Sequence, residues 1–216
     1  MASKLIEQTK TFVQEALSDA EKGHDWYHTL RVYQHAITIA RDEQADVLVV
    51  ELAALLHDIA DPKFHNGDES IGPAKAKAFL KEQQVDNRII EHVCNIIRHM
   101  SYKNSLAKGQ PQFRSAEMAI VQDADRLDAI GAIGIARTFH YGGYKNRLMF
   151  DPDIPPVTDL TKEAYKNSTA PTINHFYEKL LRLKDMMHTE TAKHLAQERH
   201  DFMLAFLEQF YKEWGK

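Results

Sequence analysis

The sequence predicts an all-α protein built as a single-domain helical bundle. Apolar residues recur along most of the 216-residue chain with the spacing of helices that bury one face. No segment shows the alternation typical of a half-buried strand, and we find no internal repeat. We therefore expect one domain over residues 1–216, with a core over about residues 23–135 and a C-terminal helical extension over about residues 172–214.

The first three helices are predicted from their apolar residues. The second begins near Asp25, because an aspartate is a favoured N-cap. The third covers Asp46 to Ile59 and is apolar on most sides, so we expect it in the middle of the bundle. One face of the first helix carries Ile6, Phe12, Val13, Ala16 and Leu17.

The following helices are predicted from capping residues and apolar spacing. Pro73 suits the first turn of a helix that continues through Leu80. Asp86 is a natural N-cap for the next helix, and a further helix covers about Ser115 to Asp128. The stretch "AIGAIGIARTF" is expected to continue as a helix, and residues 172–214 are expected to form two long helices. Three segments are predicted to be irregular: residues 61–72, 102–114 and 141–171.

Composition excludes several classes of function. The net charge of −4 is mildly acidic, so the charge balance does not indicate nucleic-acid or membrane binding. The single cysteine, Cys94, excludes a disulfide within the chain and fits a buried apolar position. With no signal peptide and no long apolar stretch, we expect a cytoplasmic protein. The amphipathic C-terminal helices are expected to pack inward, with a homodimer face as the alternative.

The stretch "VVELAALLHDIAD" ends an apolar helix with groups that are costly to bury. Neighbouring helical residues point about 100° apart, so His57 and Asp58 flank a wedge that one metal ion can occupy. Asp61 follows at helical spacing and lies over the same face. A bound cation would make these charges tolerable at the end of such a helix. The alternative is that the helix simply ends there and its polar residues are solvated.

Further ligands are available on other predicted helices. His28 lies near the start of the second helix, and Asp125 lies in the segment "VQDADRLDAIG". Asp123 and Asp128 add carboxylates to this segment, which is unusual for a buried helix unless they face a cation. A set of imidazoles and carboxylates suits Mn²⁺ or Mg²⁺ and also admits Co²⁺, Ni²⁺, Fe²⁺ or Zn²⁺.

The order His28, His57-Asp58, Asp125 resembles the motif of the HD superfamily of metal-dependent phosphohydrolases. "LLHDIAD" looks like the central helix of that family, and "DADRLDAIG" looks like the segment that carries its last ligand. The resemblance covers about residues 23–135. The phrases "YHTLRV" and "HYGGYK" are similar to the small bacterial members, some of which are nucleotide pyrophosphohydrolases.

The resemblance implies a metal-dependent reaction on a nucleotide. His28, His57, Asp58 and Asp125 would bind the metal, with His57, Asp58 and Asp61 at the reacting centre. Asp61 would position the attacking water or carry its proton; the alternative is that it only begins the loop before Pro62. The implied reaction is hydrolysis of a nucleoside or deoxynucleoside triphosphate to monophosphate and pyrophosphate.

Phosphate groups require positive charges or hydrogen-bond donors around the metal. Tyr141, Tyr144 and Lys145 could form a lid hinged at Gly142 and Gly143, with a flexible surface loop as the alternative. Arg126 could instead pair with a nearby carboxylate, and His65 and His99 could bind a second metal. The predicted substrate contacts are Arg31, Lys63, His65, His99, Lys103, Arg126, Tyr141, Tyr144 and Lys145.

Several other interpretations remain open. The substrate alternatives are a nucleoside monophosphate, ppGpp and a cyclic nucleotide, and two non-hydrolytic alternatives are a metal-binding sensor and a di-iron oxygenase. Two further His-Asp pairs are expected to be peripheral: His24-Asp25 at a rim and cap, and His200-Asp201 on a solvated helix face. His92 is expected at the surface.

Overall fold

The computed structural model describes residues 2–18, 25–60, 68, 70–100, 113–157 and 168–215. Within these ranges it contains nine α-helices, one 3-10 helix and no strand, which confirms the all-α prediction. The 3-10 helix is Leu180–Met186. The α-helices are α1 Ala2–Ala16, α2 Trp26–Ala40, α3 Val47–Leu56, α4 Ile71–Glu82, α5 Asn87–His99, α6 Ala116–Asp128, α7 Gly131–Tyr144, α8 Asn174–Glu178 and α9 Glu190–Trp214.

The chain forms two compact units, Met1–Asp125 and Arg126–Lys216. In the first unit, α3 packs against α1, α2 and α5, and α4 packs against α5. Leu52, Leu55 and Leu56 of α3 are fully buried, so this helix is the centre of its unit as predicted. The expectation of one domain over the whole chain stays a prediction.

Aspartate caps fix the starts of three helices in the first unit. The Asp25 carboxylate accepts a hydrogen bond from the His28 N–H at 2.9 Å and begins α2. Asp46 caps α3, and Asp86 caps α5 by accepting from the Arg88 N–H at 2.8 Å. These caps satisfy amides that have no partner inside the helix, and they confirm the predicted starts of α2 and α5.

The segment "AIGAIGIARTF" is helical from Gly131 onward, as predicted, but a break separates it from the preceding helix. α6 ends at Asp128, and α7 begins at Gly131, whose φ of +76° lies in the left-handed region. A Cβ on Gly134 would lie 2.2 Å from the carbonyl oxygen of Ala129. The glycines therefore allow one helix to end and the next to begin after two intervening residues, with the two backbone segments in close contact.

The C-terminal segment forms one long helix, where the sequence predicted two. α8 ends before Lys179, whose φ of −141° and ψ of −58° leave the helical region. The 3-10 helix ends at the extended Met187. Thr189 then caps the 25-residue helix α9 by accepting from the Ala192 N–H at 3.3 Å.

In the second unit, α9 packs against α7 and the 3-10 helix. Phe176 and Phe206 stack at a centroid distance of 5.9 Å, and Phe139 lies 5.9 Å from Phe206. Part of the predicted apolar face thus packs inward, whereas Phe202 is exposed. A homodimer stays a prediction.

Two further sequence predictions can be compared with the structure. Cys94 is buried, and its thiol donates to the Pro73 carbonyl at 3.5 Å, as expected for a small apolar residue in a core. Over the described ranges, none of the helices has the length and apolar character needed to cross a membrane. The cytoplasmic location stays a prediction.

Candidate metal centre

His57 and Asp58 lie immediately after the apolar helix α3. The helix ends at Leu56, three residues before the predicted end, with His57 as its C-cap at φ −60° and ψ −35°. The Ile59 N–H donates to the Leu56 carbonyl at 3.4 Å, so residues 57–60 form a tight turn. The buried helix therefore carries a histidine and a carboxylate to the edge of the core.

A backbone hydrogen bond determines which nitrogen of His57 can bind a metal. Nδ1 lies 2.8 Å from the Ala54 carbonyl oxygen, which can only accept, so Nδ1 carries the proton. In the neutral ring, Nε2 then has the free lone pair. Nε2 is buried and forms no hydrogen bond with the described residues. This is the arrangement of a metal-binding histidine whose second nitrogen is held by a backbone carbonyl.

Four side chains from three parts of the chain converge at this position. His28 is 1% exposed, and its Nε2 lies 3.7 Å from Asp58 Oδ2 and 3.6 Å from Asp125 Oδ1. His57 Nε2 lies 4.0 Å from the same Asp58 oxygen. Ligand atoms of His28, His57 and Asp125 all lie within 4.8 Å of one another. The four residues predicted as ligands are thus brought together.

These distances suit ligands around one cation better than hydrogen bonds. Ligand atoms about 2.1 Å from a metal lie roughly 3.0 Å apart at right angles and roughly 4.2 Å apart when opposite. The observed separations of 3.6 to 4.0 Å fall between these limits. The buried lone pair of His57 and the two carboxylates fit a divalent ion. Asp125, at 43% exposed, keeps the cluster open to solvent.

The other carboxylates of α6 have different surroundings. Asp128 is buried and accepts a hydrogen bond from the Arg137 guanidinium at 2.7 Å, which accounts for its charge without a metal. Asp123 is fully buried. The explanation that all three carboxylates face a cation is therefore wrong for Asp128.

Three predicted substrate contacts lie in helices of the described ranges. Arg31 is half-buried on α2, one turn after His28. His99 is the last residue of α5, where its Nδ1 lies 2.8 Å from the Asn95 carbonyl oxygen. Arg126 is buried and donates to the Met186 carbonyl at 2.5 Å. Their contacts with a substrate stay predictions.

Tyr141 and Tyr144 lie on the last turn of α7, so the helix extends into the segment predicted to be irregular. Their ring centroids are 6.4 Å apart, and the Lys145 ammonium lies 5.0 Å from the Tyr144 ring. Tyr144 is 63% exposed. An exposed ring beside an ammonium can stack on a base, but a lid stays a prediction.

Several predicted residues lie outside the described residues. They include the proposed proton carrier and several of the proposed phosphate contacts. These residues are His24, Asp61, Lys63, His65 and Lys103.

His92 belongs to a polar network that the sequence analysis missed. It is half-buried, with Nε2 2.9 Å from Ser115 Oγ and 3.4 Å from Glu117 Oε2. Glu117 also accepts from the Asp46 N–H at 2.9 Å. Burial raises the pKa of Glu117, but these hydrogen bonds outweigh it and hold the pKa below its usual value. The network joins α5, α6 and the start of α3, and spacing alone gave no signal for it.

His200 also differs from its prediction. Asp201 is exposed and accepts from Gln197 at 2.7 Å, as expected for a solvated helix face. His200 itself is half-buried, and burial lowers its pKa. A histidine of α9 therefore points partly into its unit.

Known proteins resemble this chain over nearly its full length. Residues 25–130 match the model of the HD domain. An HD-superfamily hydrolase from Bacillus thuringiensis is 46% identical, with a TM-score of 0.79 over 100% of this chain and 99% of that one. A Lactobacillus plantarum protein is 37% identical, with a TM-score of 0.83 over 98% and 97% of the two chains.

The Bacillus subtilis protein YpgQ is also similar. It is 42% identical over 212 residues, which cover 97% of this chain and 94% of that protein. A crystal structure of YpgQ in complex with ADP matches with a TM-score of 0.74 over 98% and 96% of the two chains. The chain belongs to the HD family and is a metal-dependent phosphohydrolase.

Proposed function

We propose that this enzyme hydrolyses nucleoside or deoxynucleoside triphosphates to monophosphate and pyrophosphate. The observation that carries the choice of a nucleotide is the similarity, over nearly the whole chain, to a protein crystallised with ADP. ADP contains a nucleoside and a chain of phosphates, and a nucleoside triphosphate shares both. This favours a nucleoside polyphosphate over a cyclic nucleotide.

The proposed ligands are His28, His57, Asp58 and Asp125, which suit Mn²⁺ or Mg²⁺ and also accept Co²⁺, Ni²⁺, Fe²⁺ or Zn²⁺. When bound, a divalent ion at such a site lowers the pKa of water and offsets negative charge on phosphate. The Ala54 carbonyl keeps His57 in the tautomer that leaves Nε2 unprotonated.

The remaining proposed roles follow from the family resemblance. Asp61 positions the attacking water and accepts its proton. Arg31 lies on the same helix face as His28, three residues further on, where a guanidinium can hold phosphate oxygens in a fixed geometry. Tyr144 and Lys145 stack on the base and contact the phosphates, respectively.

Product identification tests this proposal. Metal-stripped protein is incubated with nucleoside mono-, di- and triphosphates, ppGpp and cyclic nucleotides, with Mn²⁺ or Mg²⁺ restored, and the products are separated by chromatography. We expect pyrophosphate and monophosphate from a triphosphate, only when metal is present. Removing the proposed ligand in His57→Ala is expected to lower the rate at least about a hundredfold.

Other outcomes point to different substrates. Inorganic phosphate from monophosphates identifies a 5′-nucleotidase, whereas release of pyrophosphate from ppGpp identifies a ppGpp hydrolase. Opening of a cyclic phosphate identifies a phosphodiesterase. Retained metal without turnover of any phosphoester contradicts the proposal and favours a metal-binding sensor.

A further inference from the structure

We propose that Asp25 is a positioning residue of the metal centre, because its carboxylate fixes the backbone that carries His28. This inference rests on the proposed function only in taking His28 as a metal ligand. It requires no particular substrate.

His28 lies in the least constrained part of its helix. It is the third residue of α2, and the first amides of an α-helix have no partner inside the helix. Asp25 supplies that partner: its Oδ1 accepts from the His28 N–H at 2.9 Å. Its own carbonyl accepts from the Thr29 N–H at 3.2 Å. Asp25 thus accepts two hydrogen bonds that hold the first turn of α2, which carries the proposed ligand His28.

The other proposed ligands are fixed in other ways. Asp125 lies in the last turn of α6, nine residues after the helix begins, so its amide has a partner inside the helix. The ring of His57 is held directly by the Ala54 carbonyl through Nδ1. His28 depends on the cap of its helix, since a first turn without a cap frays.

Small movements of His28 are expected to weaken metal binding, because a metal site tolerates little displacement of its ligand atoms. Its buried Nε2 lies 3.6 and 3.7 Å from the two proposed carboxylate ligands. Ligand distances in metal sites are held within about 0.2 Å. A first turn that opens and closes displaces Nε2 by more than this, so the loss of the cap should weaken metal binding as well as helix stability.

The test measures binding of Mn²⁺ alone to metal-stripped, full-length protein by electron paramagnetic resonance, with no substrate present. Asp25→Ala removes the cap and is expected to raise the Kd for Mn²⁺ about tenfold, as loss of a supporting residue does in other metal sites. Asp25→Asn retains a capping oxygen but not the charge, and its Kd is expected to stay within about twofold of wild type.

Two further variants separate positioning from general destabilisation. Asp86→Ala removes a comparable aspartate cap from α5, which carries none of the four proposed ligands of this site, so its Kd is expected to be unchanged. His28→Ala removes the ligand itself and is expected to abolish tight binding. Circular dichroism and urea unfolding show for each variant how much of the fold is retained.

The outcomes separate the positioning role of Asp25 from the assignment of His28 as a ligand. Wild-type affinity in Asp25→Ala, with weak binding in His28→Ala, overturns the role of Asp25 and leaves the ligand set intact. Wild-type affinity in His28→Ala shows that the ligand set is wrong. Equal losses in Asp25→Ala and Asp25→Asn, or in Asp25→Ala and Asp86→Ala, also overturn the positioning role.

Discussion

At the residue scale, the two ring nitrogens of His57 have different roles in the proposed metal centre. His57 Nδ1 is held by the Ala54 carbonyl, and Nε2 faces the Asp58 carboxylate at 4.0 Å. Nε2 is buried without a hydrogen bond to the described residues, which is costly unless something binds it. A cation bound at the proposed site would provide that partner and would balance the two carboxylates at the same time.

The charge of Asp125 can be tested with a substitution of the same shape. Asp125→Asn retains the size of the side chain but removes the negative charge, so we expect metal affinity and kcat/KM to fall by about a hundredfold or more. Metal content by elemental analysis and steady-state kinetics measure the two effects.

Asp201→Asn is the matched control for this substitution. Asp201 is exposed on α9, where its carboxylate accepts from Gln197, so neither metal content nor kcat/KM is expected to change. Retention of wild-type metal content and activity in Asp125→Asn would exclude Asp125 as a ligand.

The sequence predicted the four clustered residues because their order along the chain matches a family motif. It could not reveal that the Ala54 carbonyl orients His57, since a backbone group has no signal in a sequence. It also missed the contacts of His92 with Ser115 and Glu117, which bring together residues 23 and 25 positions apart in the chain.

At the element scale, helix starts were predictable and helix interruptions were not. Asp25 and Asp86 act locally, so their capping role can be read from neighbouring residues. The break between α6 and α7 depends on the close approach of Gly134 to the Ala129 carbonyl. Glycine within an apolar stretch is compatible with either a helix or a break, so the pattern alone could not decide.

Two glycines of α7 provide a matched pair of alanine substitutions. Gly134→Ala places a Cβ 2.2 Å from the Ala129 carbonyl oxygen, and we expect it to lower the free energy of unfolding by about 2 kcal/mol or more. Gly143→Ala, with no atom within 4 Å of the new Cβ, is expected to leave stability unchanged or raise it by up to about 1 kcal/mol. Urea unfolding followed by circular dichroism measures both, and equal effects of the two substitutions would contradict the close packing at Gly134.

At the scale of the whole molecule, one half-buried histidine should make stability sensitive to acid. Burial, together with the charges of Lys179 and Arg147, lowers the pKa of His175 to about 3. Between pH 6.5 and 3 the unfolded chain binds a proton that the folded chain excludes. The free energy of unfolding therefore falls as the pH is lowered through this range.

His175→Gln removes this titration. Between pH 7.5 and 5, the wild type is expected to lose up to about 2 kcal/mol more than the variant. Urea titrations at the two pH values measure the difference. The proteins are metal-free, so that metal binding does not contribute to the comparison. Parallel losses in the two proteins would show that His175 is not responsible.

Metal binding should also stabilise the folded chain. A ligand that binds only the folded state at a hundred times its Kd adds about 2.7 kcal/mol, so Mn²⁺ is expected to raise the Tm by roughly 5 to 10 °C. EDTA should reverse the shift, and His57→Ala should not show it. Differential scanning calorimetry measures the change; a Tm that ignores metal, or an equal shift in His57→Ala, would argue against the site.

The most direct test of the metal centre is a crystal structure of the protein grown with Mn²⁺, with anomalous diffraction recorded on both sides of the manganese absorption edge. We expect one anomalous peak bounded by His28 Nε2, His57 Nε2 and the carboxylates of Asp58 and Asp125, at about 2.0 to 2.3 Å from each ligand atom. A peak elsewhere, or none at this cluster with Mn²⁺ present at saturating concentration, would contradict the assignment.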